Sequence, residues 1–229
     1  MDLPLTGIGA FIDCLVLFFF YYRLSKSKYN NNFFNYFKHF TLFFGAFYLL
    51  FSVPILIFTS NSSVIGWGYL IGHVFSYVAF GYLARIWLLI SKPSFNSSGI
   101  FKIYLSIGAL VTALNAFYFN NPVVKDGIVD WDQNTIVGVI IILFGLTAFL
   151  PSAILFIRES ILQPKNRKRY ALIGLAFLLI IISGPLHDVA TSVNILLIAD
   201  LITTSGFLLM FWGVVSGTKP TLADEKSGK

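Results

Sequence analysis

Residues 135–157 read TIVGVIIILFGLTAFLPSAILFI and contain no charged side chain, and this stretch decides the fold. A helix needs about 20 predominantly apolar residues to cross a bilayer, because unpaired backbone groups are intolerable in hydrocarbon. Residues 135–157 meet that requirement, and Arg158 follows directly after them. The stretch is therefore predicted to be a transmembrane helix.

Six further stretches meet the same criterion of length and apolarity. The predicted spans cover residues 4–22, 35–59, 65–91, 101–119, 135–157, 170–189 and 192–215. Pro185 supports a break between the last two spans, since proline removes a helix hydrogen bond. The sequence thus predicts an all-α, polytopic integral membrane protein. Its seven-transmembrane-helix bundle occupies residues 1–217, and residues 218–229 form a short cytoplasmic tail.

The composition favours the lipid bilayer as the surrounding medium. Of the 229 residues, 57% are hydrophobic and only 11% are charged, whereas soluble domains carry about 25% charged residues. The net charge of +6 comes from short basic stretches between apolar runs. Such stretches orient helices and meet anionic head groups, so no nucleic-acid partner is expected. The one cysteine, Cys14, excludes an internal disulfide and a multi-cysteine metal site.

The basic residues predict the orientation of the bundle. Cytoplasmic loops of membrane proteins carry an excess of Lys and Arg. Of the 16 Lys and Arg residues, Lys125 alone falls in the loops opposite the tail. We therefore expect a protein of the plasma membrane with its N-terminus outside and its C-terminus in the cytoplasm. The tryptophans fit interfacial belts in this orientation, outside at Trp67 and Trp131 and inside at Trp87 and Trp212.

Short matches between spans suggest a 3+1+3 pseudo-repeat. Spans two and six pair through residues 52–54 (SVP) and 183–185 (SGP), and spans three and seven through residues 73–77 and 200–204. Two triplets separated by one span have the same orientation, so the repeat would be parallel. This arrangement resembles the plan of sugar-transporting SWEET proteins and of opsin-like bundles. The Pro-Gln signature of the SWEET and PQ-loop families is absent, because Pro151 is followed by Ser152.

The seventh span carries a second resemblance. Residues 200–207, DLITTSGF, are similar to the last helix of microbial rhodopsins, in which an aspartate precedes the retinal-bearing lysine by four residues. In this chain that position is Thr204, and no lysine lies in the middle of a predicted span. A retinal Schiff base is therefore not expected, and the identity of any cofactor stays open.

Three ionisable residues lie at a similar depth in three different spans. At 1.5 Å per residue, Asp13, His73 and Asp200 each fall about 12 Å below the outer surface, with Asn115 at a similar level. A charged residue inside a span costs about 2.5–3.5 kcal/mol on insertion scales and normally faces a cavity or a partner. The sequence therefore predicts a polar pocket in the outer half of the bilayer.

Helical spacing predicts which side chains face this pocket. Asp200, Thr203 and Thr204 share one face of span seven, and His73, Ser76 and Tyr77 share one face of span three. We expect Asp200 and His73 to form the central pair. The predicted site for a ligand or proton comprises Asp200, His73, Asp13, Thr203, Thr204, Tyr77, Ser76 and Asn115, with His187 and Asp188 as secondary members. A purely structural ion pair is the alternative.

Three functions fit these residues. The first is a transporter or receptor that binds a small ligand, proton or cation without catalysis, and any signalling would need a cytoplasmic or membrane protein partner. The second is a zinc-type membrane hydrolase whose metal ligands would be His73, His187, Asp188 and Asp200. The third is haem binding between His73 and His187. We expect the non-enzymatic function of the first.

Overall fold

A computed structural model describes residues 4–27, 31–92, 97–119, 121–131, 134–188 and 190–216. Its helices are α1 Leu5–Ser25, α2 Asn32–Ile57, α3 Ser62–Ser91, α4 Ser97–Phe117, α5 Thr135–Leu162, α6 Arg167–Asp188 and α7 Val193–Val215. Each of the seven is long and apolar enough to cross a membrane, which confirms the predicted spans. The predicted tail, residues 218–229, lies outside the described residues.

Polar residues just before the apolar runs determine where four helices begin. The side chains of Asn31, Asn61, Asn134 and Ser192 accept hydrogen bonds from backbone N–H groups in the first turns of α2, α3, α5 and α7. These N–H groups have no partner inside the helix, so a capping side chain is worth about 1 kcal/mol. Pro185 is accommodated within α6, which continues to Asp188.

Six of the helices form a closed ring in the order α1, α2, α3, α5, α6 and α7, with α7 packed against α1. Helix α4 lies outside the ring, mainly against α3. It buries only Tyr104, Gly108, Val111 and Asn115. The ring therefore encloses the interior of the protein, and α4 contributes to its outer surface.

Aromatic side chains fill the middle of the ring. Phe44 of α2 lies 6.0 Å from Phe80, 5.9 Å from Phe149 and 5.8 Å from Phe207, measured between ring centroids. Tilted and edge-to-face pairs of this kind contribute about 1 kcal/mol each beyond their buried area. We call these four rings the aromatic layer. They join α2, α3, α5 and α7 across the ring of helices.

A short β-hairpin between α4 and α5 was not predicted from the sequence. Its strands are β1 Val123–Lys125 and β2 Ile128–Asp130, which pair in antiparallel fashion. The turn residues Asp126 and Gly127 have φ angles of 50° and 79°, as a two-residue type I′ turn requires. The backbone N–H of Val129 donates to Thr6 Oγ1 at 3.2 Å, which ties the hairpin to the start of α1.

The two ends of the bundle differ in their loops. The hairpin end holds the start of α1, the α2–α3 loop, the hairpin and the α6–α7 loop. The opposite end, where α1 meets α2 and α5 meets α6, carries Arg23, Lys26, Lys165 and Arg169, and we call it the basic end.

Candidate functional site

A cavity of about 230 Å³ lies inside the ring at the hairpin end. All six ring helices contribute to its wall, whereas α4 contributes none of the described lining residues. Ile128, Val129 and Trp131 line it from the hairpin and the segment that follows. Phe44, Phe80 and Phe149 of the aromatic layer line it toward the middle of the bundle. The cavity is thus bounded by the hairpin and by the aromatic layer.

The most polar part of the wall is a hydrogen-bonded pair between α6 and α7. His187 Nε2 lies 2.8 Å from Asp200 Oδ1, and His187 Nδ1 lies 2.9 Å from the carbonyl oxygen of Ser183. Because a carbonyl only accepts, Nδ1 carries a proton and donates to it. A second proton must then lie between Nε2 and the Asp200 carboxyl group. The pair is therefore either an imidazolium–carboxylate ion pair or a neutral histidine that accepts from a protonated aspartate.

Asp13 of α1 brings a second carboxyl group to the same wall. Thr204 Oγ1 of α7 donates to Asp13 Oδ1 at 2.6 Å. The Asp13 side chain is only 1% exposed, and Asp13 lines the same cavity as Asp200 and His187. We call Asp13, His187 and Asp200 the carboxylate cluster. Neighbouring helices α1, α6 and α7 supply its members.

The carboxylate cluster contains one more acidic group than basic group. No lysine or arginine is among the described residues that line the cavity. With both aspartates ionised and His187 protonated, the cluster carries one net negative charge in surroundings that are largely apolar. An uncompensated charge there is costly, so the arrangement favours uptake of a proton or of a positively charged ligand.

Gly9 allows Asp200 to occupy its position. A Cβ atom built on Gly9 of α1 would overlap the Asp200 carboxyl group. Only glycine leaves this space for the Asp200 carboxyl group beside α1. Gly9 was not predictable from the sequence, because nothing in the surrounding residues 7–10 (GIGA) distinguishes it from other glycines of apolar helices.

The opposite part of the wall is aromatic and contains His73. The His73 ring centroid lies 4.2 Å from Tyr69 and 5.3 Å from Phe47, and His73 Nδ1 lies 2.9 Å from the Tyr69 carbonyl oxygen. Trp131 stacks on Tyr69 with centroids 4.4 Å apart. His73 thus lines the cavity, but the histidine that hydrogen-bonds Asp200 is His187.

The structure brings most of the predicted site residues to this cavity. Those that line it are Asp13, His73, Ser76, His187, Asp200 and Thr203. Thr204 lies behind the wall and bonds Asp13. Tyr77 is buried outside the lining, near Gly108 and Phe144, and Asn115 is buried on α4. The side chain of Asp188 lies outside the described residues.

The residues that were predicted as metal ligands do not form one group in the described part of the chain. Among those residues, no set of three or more His, Cys, Asp or Glu side chains is placed to hold a metal ion. His187 and Asp200 are paired, whereas His73 bonds a backbone carbonyl of its own helix.

Replacing Thr204 by valine is expected to leave the buried Asp13 carboxyl group without its donor. The loss should lower the free energy of unfolding by about 1–3 kcal/mol, the usual cost of leaving a buried acceptor without a partner. Thermal unfolding of the purified protein in detergent measures the change. Thr204→Ser keeps the hydroxyl group and should restore most of the stability. A matched control is Thr112→Val on α4, where the hydroxyl group bonds only the Gly108 carbonyl.

No protein-family model matches the chain, and no curated protein sequence matches it. The function is therefore inferred from the cavity and from the residues in its wall.

Proposed function

We propose that this chain is a multi-pass membrane protein that binds a small ligand, proton or cation in the cavity at the hairpin end, for transport or sensing. The observation that carries the proposal is the carboxylate cluster in the wall of that cavity. Ionisable groups in the interior of a membrane protein usually mark a ligand or proton site. Sensing would require a cytoplasmic or membrane protein partner to pass the signal on.

The proposed orientation in the plasma membrane places the hairpin end outside and the basic end in the cytoplasm. The support is the concentration of Lys and Arg at the basic end. In this orientation the cavity lies in the outer half of the bilayer and takes its ligand from the extracellular side.

Cysteine labelling tests the orientation. In a Cys14→Ala background, Lys125→Cys in the hairpin should react with a membrane-impermeant maleimide on intact cells, because Lys125 is exposed at the hairpin end. Lys165→Cys, which is exposed at the basic end, should react only after the cells are opened. The reverse pattern would contradict the proposed orientation.

The packing of the helices supports the proposed 3+1+3 repeat. In a parallel repeat α1, α2 and α3 correspond to α5, α6 and α7, so the contact of α3 with α5 corresponds to the contact of α7 with α1. Both contacts are present, and α4 lies outside the ring, as expected for a linker helix. A repeat with its ligand site between the two halves is common among transporters, so this packing favours transport over sensing.

Ligand binding is tested by thermal unfolding of the purified protein in detergent. A ligand that binds the folded state raises the unfolding temperature in a saturable manner. Sodium and potassium ions, small ammonium ions, neutral sugars and small carboxylates form the panel. We expect a response to a cationic or neutral class and none to the carboxylates. The response should be lost in Asp200→Ala and kept in Gly99→Ala, a change on α4 with no atom within 4 Å of the new Cβ. If no class responds, or if Asp200→Ala responds as the unchanged protein does, the proposal that the cavity binds a small ligand or cation is wrong.

A further inference from the structure

We propose that the ligand is a small organic cation, a protonated amine with an apolar body. This inference rests on the proposed function and specifies its ligand class. Three properties of the cavity support it: the charge of its polar wall, the chemistry of its remaining wall, and its size.

The charge of the wall selects against anions. Asp13 and Asp200 approach from α1 and α7, and His187 can neutralise only one of them. A primary ammonium group provides three N–H donors. It can therefore bond carboxyl oxygens in the cluster and balance the excess negative charge at the same time. Charge-assisted hydrogen bonds of this kind are about twice as strong as neutral ones.

The remaining wall suits the apolar body of such a ligand. The aromatic residues that line the cavity are Phe44, Phe47, Tyr48, Phe51, Tyr69, Phe80, Trp131 and Phe149. Beside the hairpin, Trp131 stacks on Tyr69 with ring centroids 4.4 Å apart, and it lies tilted against Phe51 at 5.0 Å. Aromatic rings both cover apolar surface and attract cations through the negative faces of their π-systems.

The oxygen ligands and the size of the cavity disfavour a bare inorganic ion. Hard cations take about six or more oxygen ligands that surround them. In this cavity the two carboxyl groups come from adjacent helices, and much of the rest of the wall is aromatic or aliphatic. The volume of about 230 Å³ lies just below the range of roughly 300–1,000 Å³ typical of sites for drug-sized ligands. A compact amine with one ring or a short alkyl chain fits this space.

The test compares three probes that share one apolar body: 2-phenylethylammonium, 2-phenylethanol and phenylacetate. Binding to the purified full-length protein in detergent is measured by isothermal titration calorimetry, with sodium ion alone as a fourth probe. We expect the ammonium probe to bind at least tenfold more tightly than the alcohol, and phenylacetate not to bind. One charge-assisted hydrogen bond is enough to account for that ratio.

Two variants assign the binding to the proposed groups. Asp13→Asn keeps the size of the side chain but removes a charge. It should weaken binding of the ammonium probe about tenfold or more. Trp131→Leu removes an aromatic ring from the wall and should weaken binding of the ammonium probe severalfold. The matched control is Trp67→Leu, because Trp67 is at the same end but 61% exposed and outside the cavity. It should bind the ammonium probe as the unchanged protein does.

The outcomes separate this inference from the proposed function. If the alcohol binds as tightly as the ammonium probe, or if only sodium ion binds, the organic-cation inference is overturned and the proposed function stands. If no probe binds and the wider panel also leaves the unfolding temperature unchanged, both proposals fail. Equal loss of binding in Trp131→Leu and Trp67→Leu would likewise overturn the role of the aromatic wall.

Discussion

Replacing Gly9 by alanine is expected to displace the Asp200 carboxyl group and to abolish ligand binding. The new Cβ atom would occupy the position of that carboxyl group, so α1 and α7 must separate or Asp200 must leave His187. Overpacking costs about 1–3 kcal/mol, and a carboxyl group that turns away into the cavity also loses its bond to His187. We expect the free energy of unfolding to fall by about 3 kcal/mol in total. Thermal unfolding in detergent measures the loss.

Gly99→Ala is the matched control for this prediction. Gly99 is also helical, but no atom lies within 4 Å of the Cβ atom that alanine would add. Alanine is a better helix former than glycine by about 1 kcal/mol, so this variant should be as stable as the unchanged protein or more so. A Gly9→Ala protein of unchanged stability that still binds ligand would show that α1 and Asp200 adjust without cost.

Removing either member of the His187–Asp200 pair is expected to have the second large effect. Asp200→Ala leaves His187 Nε2 without its partner, and His187→Ala leaves a carboxyl group unpaired beside Asp13. Breaking a buried pair costs about 3–5 kcal/mol, and we expect the lower part of that range because the His187 side chain is 29% exposed. The double variant should lose less free energy of unfolding than the two single variants lose in sum. A double-mutant cycle on thermal unfolding then gives a coupling of about 1–3 kcal/mol.

The chain offers a matched control for this cycle at the basic end. Gln163 Nε2 donates to Glu159 Oε2 at 2.5 Å, in a pair that also joins a carboxyl group to a nitrogen donor. This pair lies at the end of α5 and is not part of the cavity. Its coupling should be about 0.5 kcal/mol, as for helix pairs four residues apart. Equal couplings in the two cycles would mean that the environment of the cavity does not strengthen the interaction between His187 and Asp200.

The seven helices were predictable because each one satisfies a local rule. Residues 135–157 are apolar without interruption, and the caps Asn31, Asn61 and Ser192 stand directly before apolar runs. The hairpin also has a local signal, the Asp126-Gly127 pair flanked by Val123-Val124 and Ile128-Val129. The hairpin was nevertheless not predicted, because the segment lies in a loop between two predicted spans.

The pairing within the site was not predictable from depth alone. Depth along isolated helices placed Asp200 level with His73 and left His187 near the surface. Which side chains meet depends on which helices are neighbours, and that order is a property of the ring. Helix α7 packs directly against α6 and α1, so Asp200 meets His187, and Thr204 meets Asp13. The close approach at Gly9 has the same origin and leaves no trace in the local sequence.

The aromatic layer has a consequence for permeability. Phe44, Phe80 and Phe149 close the cavity toward the basic end, and beyond them Phe37, Phe40, Phe156 and Phe177 are fully buried. A solute held at the carboxylate cluster therefore meets a dry barrier. A carrier would have to part these rings once in every cycle, whereas a receptor would keep them closed. If the protein is a carrier, Phe44→Ala, which removes one ring of this barrier, should allow solute to leak through it. Proteoliposomes that retain their contents with the unchanged protein would then lose them.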